Sequence, residues 1–140
     1  RITTDALRLA DLAKLSQDEL EFVTGEREPE KGAARIVGLG PAAVVVTLGD
    51  KGAYYFSSQG QARIPPFRVE VADTTGAGDG FAAGLIHVLC RREWPPSQEA
   101  LGEAARFASA VGALATTGMG AVRSLPTRTE VKKFMKSQSG

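Results

Sequence analysis

VEVADTTGAGDGFAAGLIHVL, residues 69–89, carries four glycines, two aspartates and two threonines and runs into an apolar segment. Its reading decides the fold. A β-favouring run ends at Ala72 and a helical apolar pattern starts near Gly78, which leaves DTTGAG as the connector. Gly76 and Gly78 let the backbone turn sharply and approach a ligand closely. The first N–H groups of the following helix have no intrahelical partner and carry the positive end of its dipole, so the turn is an anion site. Asp79 stands in that first turn. An acid there is an ordinary helix stabiliser, yet beside a bound phosphate it is also a repulsive neighbour. A general base explains it better. A hydroxyl that attacks a phosphoryl group must lose its proton next to the N–H donors that hold the phosphate.

Two other phosphate motifs are excluded. A P-loop needs a lysine after its second glycine, and no lysine lies between Lys51 and Lys132. A dinucleotide fingerprint needs a third glycine, and Phe81 occupies that place.

Residues 42–49, AAVVVTLG, form a continuous β-branched run, the pattern of a strand buried on both faces. Residues 52–57, 61–64 and 67–72 read as shorter strands, with Ser57-Ser58-Gln59-Gly60 as a hairpin turn. Residues 3–14 read as a short helical or connecting segment. Ser16 and Glu19 form a capping box for a helix that Gly25 ends. Further helices are expected over 30–39, from 78 to about 90, from Ser97 to about 116 and over 127–135, with a fraying tail. Strands and helices mixed in this order mean α/β, with ligands at the carboxyl ends of the strands.

The chain has 140 residues, enough for one domain with a core. A net charge of +1 gives no reason to expect nucleic acid or an anionic membrane as partner. No apolar run approaches the roughly 20 residues of a membrane span. The single cysteine, Cys90, rules out an internal disulfide and fits a reducing, cytoplasmic setting. No signal peptide is recognisable, and the chain begins without Met.

DTTGAGDGFAAG (73–84) resembles the second signature of the pfkB carbohydrate kinases, the ribokinase-like family. VVVTLGDKGAYYF (44–56), LSQDELEFVTG (15–25) and GALATTGMGAVRSLP (112–126) resemble three further stretches of that family, in the same order. The resemblance implies the C-terminal half of a three-layer α/β/α fold, with a mostly parallel sheet and a short antiparallel hairpin. It implies one nucleotide-binding portion over residues 1–140, without the N-terminal sugar-binding half and its lid. It implies transfer of phosphate from ATP to a sugar hydroxyl.

The same resemblance makes Asp79 the catalytic base and the backbone of Gly76, Ala77 and Gly78 the anion hole. Thr47, Gly49, Gly52, Gly78 and Ser109 would meet the nucleotide, with Lys51 a candidate contact on the adjoining turn. Magnesium would accompany the ATP. Asp73, Thr75, Ala115, Gly118, Gly120 and Ser124 match positions that hold a potassium ion. Ser16 and Ser109 stand where ribokinases have Asn, and the wording around Ser16 is closer to fructokinase-like members, which favours fructose. Ribokinase, 2-keto-3-deoxygluconate kinase and a non-catalytic nucleotide-binding fragment are the alternatives. A chain lacking half of its sheet is expected to expose apolar edges and to associate with the missing half or with itself. His87 and Cys90 read as packing residues, Trp94 as a loop anchor, and Tyr54 and Tyr55 as packing on opposite faces of a strand.

Overall fold

The computed structural model describes residues 2–120 and 125–139. In chain order it has α1 (Ile2–Leu9), β1 (Leu12–Ser16), α2 (Gln17–Thr24), α3 (Pro29–Leu39), β2 (Ala43–Thr47), a 3-10 turn (Gly49–Lys51), β3 (Ala53–Ser57), β4 (Gly60–Ile64), α4 (Ala77–Leu89), α5 (Gln98–Ala115) and α6 (Arg128–Gln138). The four strands lie in the order β1-β2-β3-β4. β1 runs parallel to β2, and β3 and β4 continue antiparallel.

The α/β class stands. The sheet described here is mixed rather than mostly parallel, because β2 enters β3 through a tight turn and β3 enters β4 through a hairpin. Neither link leaves room for the crossover that a parallel pair requires. β1 is a strand where the sequence suggests a helical or connecting segment. The 67–72 run, expected as a strand, is irregular. It follows Pro65-Pro66, and neither proline has an N–H to offer a ladder.

Helices cover both faces, giving three layers. On one face, Ala43, Val45, Ala53 and Tyr55 pack against Phe81 and Leu85 of α4 and Leu101, Ala104 and Ala108 of α5. On the other, Val44, Val46 and Tyr54 pack against Leu7, Leu20, Ala33 and Ile36 from α1, α2 and α3. Tyr54 and Tyr55 thus face opposite layers, as strand alternation requires. Val44, Val45 and Val46 are completely buried; each side chain withdrawn from water contributes about 1.5–3 kcal/mol before chain entropy is set against it.

Local chemistry fixes the helix ends. Ser16 Oγ accepts the Glu19 amide at 3.2 Å while Glu19 accepts the Ser16 amide at 2.7 Å. Gly25 closes α2 at φ 72°, and Ser97 caps α5. A second capping box, Thr127 with Glu130, starts α6. The tail does not fray where expected: α6 runs to Gln138, whose side chain accepts the Arg68 amide and donates to its carbonyl.

α4 and α5 approach closely because glycine sits at their contact: a methyl built on Gly84 would lie 2.9 Å from the Ala108 Cα. His87 stacks on Phe107 at 5.6 Å, which is packing. Cys90 is exposed rather than buried, because α4 ends there and turns away from the core. Trp94 is partly exposed in its loop.

Candidate active site

The carboxyl end of β2, the start of α4 and the last turns of α5 meet at one end of the sheet. The connector ahead of α4 is pinned first. The amides of Ala72 and Asp73 both donate to the Thr116 carbonyl, at 2.8 and 3.0 Å. One Asp73 carboxylate oxygen accepts the Thr75 amide at 2.9 Å, and the other accepts the Gly120 amide at 3.2 Å. The Thr75 amide, then the Thr75 hydroxyl and the Gly120 amide, hold the Asp73 carboxyl below the usual aspartate range. Asp73 therefore stays ionised and joins the glycine turn to the loop after α5.

Gly76 takes φ 81°, a conformation that disfavours any side chain, and among the described residues no side chain caps α4. The Ala77 amide donates to Thr74 O at 3.2 Å, and the Gly80 amide to Gly76 O at 2.8 Å. Of the three amides expected in the anion hole, that of Ala77 is thus already engaged. Gly78 and Asp79 supply first-turn N–H groups, where an α-helix has no carbonyl to offer. Asp79 is exposed in this first turn.

A cavity of about 730 Å³ opens beside the turn. Thr47, Gly49, Gly52, Gly78 and Ser109, all predicted to meet a nucleotide, line it together. Lys51 does not; it is exposed on the adjoining 3-10 turn. Glycine is required at Gly52, which has φ 89°, because a methyl there would lie 2.0 Å from the Ile64 carbonyl oxygen. At Gly112 a methyl would lie 3.2 Å from the Ala77 carbonyl oxygen, so α5 packs closely against the first turn of α4. Ser109 Oγ is buried and finds no hydrogen-bond partner among the described residues. A buried hydroxyl left unpaired beside a cavity would be satisfied by an ordered water or by a ligand's polar atom.

Sequence reading missed the opposite wall. Phe67, Arg68, Val69 and Val71 line the cavity as irregular backbone. Phe67 is held by the Phe134 ring at 5.3 Å and the Arg106 guanidinium at 5.2 Å. Pro65-Pro66 ahead of this segment was the available signal.

Of the positions expected to hold a cation, Asp73, Thr75 and Gly120 share hydrogen bonds, and Ala115 and Gly118 lie at the end of α5 and in the following loop. Ser124 lies outside the described residues. Asp73 uses one lone pair of each oxygen on amides, so its carboxylate has capacity left for a cation. Among the described residues, no group of three or more His, Cys, Asp or Glu side chains could hold a metal ion.

The sequence matches the pfkB family carbohydrate kinase model over residues 3–128. The chain belongs to the pfkB family of carbohydrate kinases. Fructokinase-1 of Oryza sativa subsp. japonica is 39% identical over 132 residues, covering 91% of this chain and 40% of that protein. The fructokinase of Vibrio alginolyticus is 38% identical over 135 residues, covering 96% and 44%. This pfkB chain therefore spans under half the length of the curated relatives it matches. Among solved structures, aminoimidazole riboside kinase from Salmonella enterica, complexed with aminoimidazole riboside and an ATP analog, superposes with a TM-score of 0.85 at 34% identity, covering 96% of this chain and 45% of that one. A fructokinase double mutant from Vibrio cholerae O395, bound to fructose, ADP and potassium ion, superposes with a TM-score of 0.85 at 38% identity, covering 93% and 42%. Ribokinase from Thermotoga maritima superposes with a TM-score of 0.83 at 32% identity, covering 95% and 44%, so the fold is ribokinase-like. No helix among the described residues is long and apolar enough to cross a membrane.

Proposed function

We propose that this chain is the nucleotide-binding part of an ATP-dependent sugar kinase, with fructose as acceptor. The observation that carries the reading is the junction at Gly78 and Asp79. Gly78 lines the 730 Å³ cavity, and Asp79 follows it in the uncapped first turn of α4. Nucleotide and acceptor would meet there. The Gly78 and Asp79 amides bind the terminal phosphate, and the Asp79 carboxylate accepts the proton of the attacking hydroxyl. That oxygen forms the new bond to phosphorus, the bond to the bridging oxygen breaks, and the nucleoside diphosphate leaves with the electron pair. Magnesium carried with the nucleotide screens phosphate charge. Asp73, with carbonyls of the 115–120 segment, would hold a potassium ion that stiffens the turn. The fructokinase relatives favour fructose over ribose or 2-keto-3-deoxygluconate. The residues that contact sugar would belong to the portion of the relatives this chain does not span.

The test is ADP release with magnesium, potassium, ATP and each of the three sugars. Fructose-dependent release that falls ~10²–10⁴-fold in Asp79→Asn, with ATP binding kept, is the expected result. Undiminished turnover in Asp79→Asn would falsify the assignment. Because this chain covers under half of its relatives, nucleotide binding without turnover is the second reading. Calorimetric ATP binding with no ADP release for any sugar would select it.

A further inference from the structure

β1 places one cation where the glycine turn ends. Ala13 and Leu15 point into the layer of α1, α2 and α3. Leu12 packs on the opposite face, against α4 and α5, and Lys14, two residues on, shares that face. Its side chain reaches the start of α4: a methyl built on Gly78 would lie 3.3 Å from the Lys14 Nζ. Gly78 itself lines the nucleotide cavity.

Cations stabilise the C-terminal ends of helices; at an N-terminus they meet the positive end of the dipole. Among the described residues no carboxylate comes within ion-pair distance of Lys14. Asp79, one residue past Gly78, forms no ion pair with it. Glu19 feels the Lys14 charge, but its carboxylate is committed to the Ser16 amide at 2.7 Å. Two positive features therefore converge on Gly78, the ammonium and the first-turn amides, and an anion lying there would meet both.

We infer that Lys14 is a further catalytic residue, whose ammonium binds the terminal phosphate of the nucleotide at Gly78. The inference rests on the kinase reading above. It supplies from β1 the point charge that the glycine turn lacks in sequence. The terminal phosphate is the group in question because Gly78 lies where the cavity ends and the Asp79 base begins. As the bridging P–O bond breaks, Lys14 offsets charge on the transferring group.

The experiment is calorimetric titration of the 140-residue chain with ATP, ADP, AMP and inorganic tripolyphosphate, comparing the unaltered chain with Lys14→Met and Lys14→Arg. Lys14→Met should weaken ATP and tripolyphosphate by ~10–100-fold, ADP less, and AMP not at all. Lys14→Arg should recover most of the loss. Thermal unfolding of each variant separates this from a packing defect, and Lys14→Gln replaces the Met variant if that one unfolds. Equal ATP affinity in the unaltered and Met chains would overturn the role of Lys14 and leave the kinase reading intact. Equal weakening of ATP and AMP would reduce Lys14 to a packing residue. An unaltered chain that binds no ATP would overturn the kinase reading, and this inference with it.

Discussion

The Asp73 carboxylate accepts the Gly120 amide at 3.2 Å across 47 positions of sequence, while its other oxygen holds the Thr75 amide at 2.9 Å. One side chain thus couples the turn ahead of α4 to the loop behind α5. Asp73→Ala is expected to leave the sheet and its two helical layers intact but to loosen both loops, weakening ATP binding and abolishing any potassium dependence of it. Calorimetry in potassium and in a tetramethylammonium salt checks this; unchanged ATP affinity with unchanged potassium response would refute the coupling.

The pH dependence follows from the same bonds. The Thr75 and Gly120 amides depress the Asp73 pKa below 3.8 in the folded chain. A group depressed on folding contributes stability above its unfolded value, and loses it as pH falls through the folded value. The tie should therefore be complete at neutral and mildly acidic pH and break only below about 3.8. Acid titration of the Thr75 and Gly120 amide resonances should show one shared transition there, absent in Asp73→Asn.

Two glycines on the α4–α5 contact have separable effects. A methyl on Gly84 would meet the Ala108 Cα at 2.9 Å, backbone against side-chain carbon, and one of the two helices must move. Gly84→Ala should cost roughly 1–3 kcal/mol of stability. The methyl of Gly112→Ala would instead meet the Ala77 carbonyl oxygen at 3.2 Å, in the first turn of α4 where it lines the cavity, with the Phe81 Cβ in ordinary contact at 3.5 Å. Its main effect is expected in ATP affinity, with a smaller loss in denaturant midpoint. Urea unfolding paired with ATP titration distinguishes the two, and a Gly112→Ala chain that loses stability alone would contradict this division.

Local chemistry made much of this readable from sequence. The second signature, the β-branched run at 42–49, the Ser16 capping box and the Tyr54/Tyr55 alternation each declare themselves through near neighbours. β1 did not, because Leu12 and Leu15 continue a leucine spacing begun at Leu7, and five residues are too few for alternation to compete with it. The 67–72 run alternates like a strand but has no ladder partner in the described sheet, and pairing is a property of the fold rather than of the segment. The meeting of Lys14 with Gly78, 64 positions apart, required the parallel β1–β2 pair and the packing of α4 across it. Lys51, near the right loop in sequence, turns out to face solvent.

Ser109 offers a test in which stability and binding move apart. Its hydroxyl oxygen is buried and, among the described residues, unpaired beside the cavity. An unsatisfied buried hydroxyl costs about 1–3 kcal/mol, so Ser109→Ala should leave the free chain equally stable or more so. ATP affinity should fall several-fold if the nucleotide supplies the missing partner. Thermal unfolding with and without ATP reads both: a raised midpoint without ATP and a smaller ATP-induced rise are expected. A variant that gains the same shift from ATP as the unaltered chain would show that the hydroxyl meets no part of it.

Among the described residues, no strand lies beside the outer side of β1. An apolar groove of about 650 Å³ runs along it, lined by Leu12, Leu15, Phe22 and Val23 among others. Phe22 projects from α2 with 87% of its surface exposed, which is costly in water. Unpaired strand edges and apolar patches seek partners. In a complete pfkB fold, this face is expected to be covered by the part of the relatives that the chain does not span. Alone in solution, the chain should therefore associate with itself through β1 and Phe22. Sedimentation velocity over a wide concentration range is expected to show growing dimer or larger species, and Phe22→Glu should shift the distribution toward monomer because a carboxylate cannot be buried unpaired in an apolar contact. A chain that stays monomeric throughout, or a Phe22→Glu variant that associates as strongly, would place the contact elsewhere or remove it.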